Sequence, residues 1–225
     1  MTEAEQRNAA TQFYNDWRSR GNEKSDCQKF WIEFCSKVLG IDNALQKLDF
    51  EKRVIVDGQT KFIDAYISET RVLIEQKSFD KPLDKKYPQS DGSMMTPFEQ
   101  ARNYAHWMIP DEVPLWIIVC NFQTFEIHNM NKPTETPIVI LLDEVRNKYF
   151  LFDFMFKKDV KEISYEMKIS LRAGDIVGIL YDKLLAQYRE VNEQTLKSLN
   201  ALCVRLVFCL YADQDLMYSQ KLRQK

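Results

Sequence analysis

Apolar residues recur along this chain with two different periods, and the change between them divides it. In residues 2–20, Ala9, Phe13 and Trp17 stand four apart in a polar background, which predicts an amphipathic first helix stopped by Gly21 and Asn22. Ser25 or Asp26 is placed to cap a second helix that runs to about Leu39 and closes at Gly40. Its stripe of Phe30, Trp31, Phe34, Cys35, Val38 and Leu39 is broad and buried. Asn43–Leu48 predicts a short third helix. The period then falls to two. Phe50–Val56 and KFIDAYI read as strands joined by Asp57-Gly58, a pair suited to a primed two-residue turn. A second hairpin follows at once, Phe62–Ile67 and Arg71–Lys77 about the polar turn Glu69-Thr70.

Periodicity is lost over Phe79–Met95, which holds Pro82, Pro88, Gly92, Lys81, Lys85 and Lys86. A loop of that length is either a basic segment that meets a phosphate backbone or a solvated surface loop. Thr96 then caps a helix with Pro97 in its first position and Glu99 in its first turn. PLWIIVCNF is a near-continuous apolar strand of the kind buried on both faces, and TFEIHNM alternates as its partner. The order β-β-β-α-β-β after leading helices predicts an α/β (α+β) fold, a mixed central sheet flanked by helices. Beyond about residue 157 strand signals stop, and Ile169–Tyr188 and Gln194–Tyr211 read as helices. SLNALCVRLVFCLYA is apolar on nearly every side, more than one partner helix would cover. The chain is therefore expected to comprise a domain at 1–157 and a helical segment at 158–225, together the amino-terminal piece of a longer protein.

Bulk properties narrow the chemistry. At 225 residues, 45% apolar and 28% charged, the chain suffices for one sizeable core. A formal charge of −2 supplies no global positive field, so any nucleic acid must be held by a local patch. The five cysteines are odd in number, sit mostly in apolar runs and never form C-x-x-C, as expected of reduced thiols in a cytoplasmic protein. With two histidines, a zinc site is not expected. No signal peptide opens the chain, and Ala201–Ala212, broken by Arg205, is too short to span a bilayer, so no membrane partner is expected.

The second hairpin carries the candidate chemistry. With Glu69 and Thr70 as turn residues, antiparallel pairing sets Asp64 opposite Glu75, with Lys77 two residues on along the same face. Phe62, Tyr66 and Leu73 are expected on that side; Ile63, Ala65, Ile67, Val72 and Ile74 face the core. Adjacent carboxylates repel unless a cation lies between them, and a hard ion such as Mg²⁺ takes oxygen ligands while keeping waters. A neighbouring lysine then serves an attacking water or the charge building on a phosphoryl group. Charged residues on a solvated hairpin face would give the same letters. Gln100 and Tyr104 share a face of the later helix, as packing or as part of a site. Glu33, within FWIEF, is either a surface glutamate or an accessory carboxylate. Asn121 is placed to line a cleft, and His128 carries no functional assignment.

The D-x10-E-x-K spacing is that of the PD-(D/E)xK nuclease superfamily, and Q-x-x-x-Y is an element some members carry on the helix after the catalytic strands. FWIEF, KFIDAYISETRVLIEQKS, QSDGSMMTPFEQARNYAHWM, WIIVCNFQTFEIHNM and SLNALCVRLVFCLYA together resemble the amino-terminal region of MmeI-like restriction–modification enzymes (types IIL and IIG), over nearly the whole chain and in the family's order. The resemblance implies a restriction-endonuclease-like core that cuts double-stranded DNA with Mg²⁺, for which Mn²⁺ can substitute. It implies that Asp64 and Glu75 bind metal, joined by the carbonyl of Gln76, that Lys77 is catalytic, that Gln100 and Tyr104 support the cleft, and that Glu33 is an accessory acid. It further implies that 158–225 is the start of a helical spacer, and that an adenine-specific, S-adenosylmethionine-dependent methyltransferase and a target-recognition domain follow in the same polypeptide. No N-P-P-[YF] and no glycine-rich cofactor loop occur in these residues, so the methyl donor is expected to bind elsewhere. Two other functions stay open: a catalytically silent module of the same fold that docks DNA or the methyltransferase, and a repair or recombination nuclease without a methyltransferase.

Overall fold

The computed structural model describes residues 1, 3–157, 174, 177–178, 180–188 and 192–222. The chain divides into two compact units, Met1–Val160 and Lys161–Lys225.

In the first unit, α1 (Glu3–Trp17) and α2 (Glu23–Glu33) lead into a π-helical turn, Phe34–Val38, and a short α3 (Ala44–Lys47). The cap of α2 is Asn22 rather than Ser25 or Asp26. Its extended backbone lets the side chain accept from the N–H groups of Lys24 and Ser25, while Asp26 reaches back to the N–H of Asn22. The strands β1 (Asp49–Val56), β2 (Gln59–Ile67), β3 (Val72–Gln76), β6 (Trp116–Cys120), β7 (Thr124–Asn129) and β8 (Ile138–Leu141) make one sheet in the order β1-β2-β3-β6-β7-β8. Only the β3–β6 pair is parallel. The β1–β2 turn has positive φ at both Asp57 and Gly58, as a primed turn demands.

Both faces of the sheet are covered, which is why β3 and β6 are apolar and buried at nearly every position. On one face Phe13, Trp17, Phe30, Trp31 and Phe34 pack with Phe122, Phe125 and Phe152 in a network of tilted and edge-on rings. On the other, Ala101 and Tyr104 of α4 (Pro97–His106) join Tyr66, Leu73, Ile117 and Val119. The N-terminus of α4 is a full capping box, Thr96 accepting from the N–H of Glu99 and Glu99 from that of Thr96.

The sequence expectation differs from the structure in three further places. The segment expected to be one aperiodic loop contains a small ribbon, β4 (Tyr87–Pro88) with β5 (Met94–Met95). It is tied down by Leu83 in the core, by Asn121 Nδ2 donating to the Lys81 carbonyl, and by contacts of Gln89 with Gln100 and of Lys61 with Ser90. The sixth strand, β8, is too short to show a period. It is followed by 3-10 turns at Leu142–Glu144 and Tyr149–Met155 about α5 (Val145–Lys148).

In the second unit the helix expected at Gln194–Tyr211 is longer, α6 (Glu193–Leu222). Most of the Ile169–Tyr188 expectation lies outside the described residues; 180–185 are helical. Among the described residues no helix is long and apolar enough to cross a membrane.

Candidate functional site

The register of the β2–β3 hairpin is the one its turn predicts: Ile67 faces Val72, Tyr66 faces Leu73, and Ala65 faces Ile74. The next pair would be Asp64 and Glu75, and there the ladder stops. Asp64 Oδ2 instead accepts a 2.6 Å hydrogen bond from the backbone N–H of Gln76. The strands part at this point, and the side chain satisfies a donor that the ladder leaves behind. On the other side of β2, Glu51 would be the cross-strand partner of Asp64, yet it has φ 53° and drops out of the β1–β2 ladder. Alternation breaks here. Ile63 joins the apolar cluster of Tyr66 and Leu73 instead of facing away from it, and Phe62 is exposed. The kink delivers Asp64 to the end of β3.

Glu75 and Lys77 stand on the buried inner edge of the same opening. Lys77 Nζ donates to Glu75 Oε1 at 2.6 Å and lies 3.5 Å from Glu23 Oε1. Glu75 is 1% exposed, and its second oxygen, Oε2, is buried without a hydrogen-bond partner. Burial, then the Asp64 charge, pushes the Glu75 carboxyl up to about 8 against the pull of Lys77. Burial likewise raises Asp64 to about 6, opposed by the Gln76 N–H and by Lys77. Burial works against the Lys77 charge, but Glu75, Glu23 and Asp64 hold its pKa above the usual lysine range. Cys27 is near enough to Asp64 that, with burial as the larger cause, its thiol is pushed well up and stays protonated.

Gln76 is fully buried between layers. Its Oε1 accepts from Trp31 Nε1 at 2.8 Å, and its Nε2 donates to the Lys77 carbonyl. Gln100 Nε2 donates to Tyr104 Oη at 2.8 Å, so the pair four apart on α4 does face one way. Tyr104 is buried close enough to Glu75 to feel its charge. That, after burial itself, raises the phenol to about 12 against the Gln100 bond.

Two sequence assignments are redirected. Glu33 is taken by Trp17 Nε1 at 3.2 Å and by Lys37 at 3.4 Å, and the carboxylate that α2 presents to Lys77 is Glu23. Asn121 spends its side chain on Lys81 and on the N–H groups of Gln123 and Thr124, shaping the β6–β7 turn. His128 stacks on Phe98 at 3.7 Å as part of the α4 packing. The sequence pattern does not single out Glu23 or Glu51. The one signal for Glu23 is an acid in a first helical turn, which the helix dipole alone accounts for.

Glu23, Asp64 and Glu75 thus act on one another around Lys77, and Glu51 adds its charge on Asp64. Among the described residues no three acid, thiol or imidazole groups form a ready-made ligand set. A divalent cation would rest on two acids, backbone and water, which suits Mg²⁺. The partnerless Glu75 Oε2 fits such an ion, because a buried anionic oxygen with no donor is costly to keep.

A six-stranded mixed sheet between helical layers, with acids and a lysine at the opened end of its inner strands, is an α+β architecture compatible with a nuclease-like core. The family model described as MmeI, N-terminal domain, matches residues 8–187. The chain belongs to that family and so to a region of restriction–modification enzymes. Comparison with curated proteins and with solved structures returned no match.

Proposed function

We propose that this chain is a divalent-metal-dependent endonuclease domain of the PD-(D/E)xK kind, acting on double-stranded DNA. The observation that carries the reading is the buried, partnerless Oε2 of Glu75, set beside Asp64 with Lys77 as the neighbouring cation. Asp64 and Glu75 would hold Mg²⁺ or Mn²⁺. In an extended strand the N–H and C=O of one residue face the same edge, so the Gln76 carbonyl turns toward Asp64 and can join them. The bound ion would supply Lewis-acid charge and a water acidic enough to attack phosphorus. Lys77 stays protonated and offers its charge to the phosphoryl oxygens, with Glu23 restraining its ammonium group. Gln100 and Tyr104 close the α4 side and keep water from the inner carboxylate. An adenine methyltransferase using S-adenosylmethionine, and a target-recognition domain, would be separate parts of the same cytoplasmic enzyme.

The test is Mg²⁺-dependent cleavage of plasmid DNA by the full-length protein and its Asp64→Ala and Lys77→Ala variants. Both variants should be inactive, and wild-type cleavage by either would end the assignment. One observation favours a second reading. Lys77 is already engaged at 2.6 Å by Glu75, and a closed ion pair would serve equally well in a silent docking module. Titration calorimetry separates the two: Mg²⁺ or Mn²⁺ heats that vanish in Glu75→Gln support the nuclease, whereas no heat in the wild type supports the silent module.

A further inference from the structure

Lys77 stands between two carboxylates that are not alike. Its Nζ lies 2.6 Å from Glu75 Oε1 and 3.5 Å from Glu23 Oε1, and among the described residues no third acid pairs with it. The Glu75 side chain is 2% exposed and the Glu23 side chain 31%. The inner acid has the shorter bond, and the outer one has access to solvent. Asp64, the remaining acid beside them, is committed to the backbone N–H of Gln76 at 2.6 Å.

The backbones of Glu23 and Lys77 are tied together. The Glu23 N–H donates to Ser78 Oγ at 3.2 Å, and the Phe79 N–H donates to the Gly21 carbonyl at 3.0 Å. The start of α2 is thereby fixed to the two residues that follow Lys77, and Asn22 caps it through the N–H groups of Lys24 and Ser25. On so firm a frame the flexible lysine stem can close the gap to Glu23 with neither backbone moving.

A divalent ion on the partnerless Glu75 Oε2 would share one carboxylate with the Lys77 ammonium, where little water screens their repulsion. Lys77 is itself 6% exposed, and a buried cation stripped of its partner is costly. It needs another anion within reach, and among the described residues Glu23 is the one so placed.

We infer that Glu23 is the exchange partner of Lys77: when Glu75 takes the ion, the ammonium leaves Oε1 and pairs with Glu23. The move carries the charge toward solvent, where a phosphoryl oxygen can meet it, and turns a closed ion pair into an available cation. Glu23 is thus a positioning residue that acts on the metal and the substrate through Lys77. The inference rests on the nuclease reading of Asp64, Glu75 and Lys77 and adds how metal and lysine come to share Glu75.

The test is titration calorimetry of Mn²⁺ into the intact chain, as a cycle of wild type, Glu23→Gln, Lys77→Met and the double variant. Glu23→Gln should weaken Mn²⁺ about tenfold, as loss of an outer partner does. Lys77→Met should bind at least as tightly as wild type, because the competing ammonium is gone. In that background Glu23→Gln should change nothing further. Glu23→Asp keeps the charge but shortens the reach, so its affinity should fall between wild type and Glu23→Gln. Melts in EDTA should match wild type for both Glu23 variants, since Lys77 still has Glu75. Wild-type Mn²⁺ affinity in Glu23→Gln overturns the exchange and leaves the nuclease reading standing. An equal loss with and without Lys77 means that Glu23 acts on the ion directly, and the exchange falls. A wild type that takes up no Mn²⁺ overturns both.

Discussion

Lys77 Nζ lies 2.6 Å from one oxygen of Glu75, while the other oxygen of the same carboxylate is buried with no partner. A half-satisfied buried acid is worse than either a fully bonded one or an apolar replacement. The cost is tolerable if a cation completes the shell when the protein works. Mn²⁺ or Mg²⁺ should therefore raise the melting temperature with the logarithm of metal concentration above Kd, a gain of about 2.7 kcal/mol in stability at a hundredfold excess. Glu75→Gln should remove the effect. Equal metal-induced shifts in thermal melts of wild type and variant would refute it.

The same site fixes a dependence on pH in the metal-free protein. Asp64 is raised from 3.8 to about 6 and Glu75 from 4.5 to about 8, in each case by burial first. A raised carboxyl means that the folded state prefers the proton. The stability this contributes is fully present below the unfolded values and is lost as pH rises through about 6 and then about 8. Melts in EDTA should fall between about pH 5 and about pH 8.5, and Glu75→Gln should flatten the upper part of the decline. A level wild-type curve over that span would contradict the burial of the two acids.

A double-mutant cycle reads the ion pair itself. Removing one member of a buried pair strands the other charge, typically at about 3–5 kcal/mol. Here each survivor has relief: Glu75 can take up a proton, and Lys77 keeps Glu23 at 3.5 Å. Lys77→Met and Glu75→Gln should each destabilise the chain, and the double variant should cost less than their sum by about 1–3 kcal/mol. Urea unfolding in EDTA measures all four corners, and strict additivity would mean that the 2.6 Å contact contributes no coupling.

What was legible in the sequence is local. The Glu69-Thr70 turn and the apolar alternation about it specify the register that aligns Asp64 with Glu75, and Thr96-Pro97 with Glu99 specifies where α4 begins. What was not legible depends on partners distant in sequence. The kink at Asp64 depends on the backbone of Glu51 in the neighbouring strand. Glu33 sits among aromatics in the sequence, but those rings bury their own face and leave Glu33 to Trp17 and Lys37. The order in the 79–95 segment comes from Leu83 in the core and from Asn121, forty residues beyond Lys81. A period of two or of 3.6 carries none of this information.

Glu23 depends most on tertiary contact, and the turn before it gives the last test. Gly21 has φ 145°, a region that L side chains rarely adopt, and a Cβ there would meet the Phe122 ring at 2.2 Å. Phe122 is fully buried, stacked on Trp17 and edge-on to Phe30, so it has no room to yield. The same turn is sewn to the strand carrying Lys77: the Phe79 N–H donates to the Gly21 carbonyl at 3.0 Å, and the Glu23 N–H donates to Ser78 Oγ at 3.2 Å. Gly21→Ala must shift the turn outward or crowd the aromatic layer, at a cost of about 1–3 kcal/mol. Any outward shift pulls Glu23 from Lys77. Denaturation should show the loss of stability, and DNA cleavage by Gly21→Ala should fall further than in Ser25→Ala, a change on the exposed side of the same helix start. If Gly21→Ala matches wild type in both stability and cleavage, the packing of this turn does not govern where Glu23 stands.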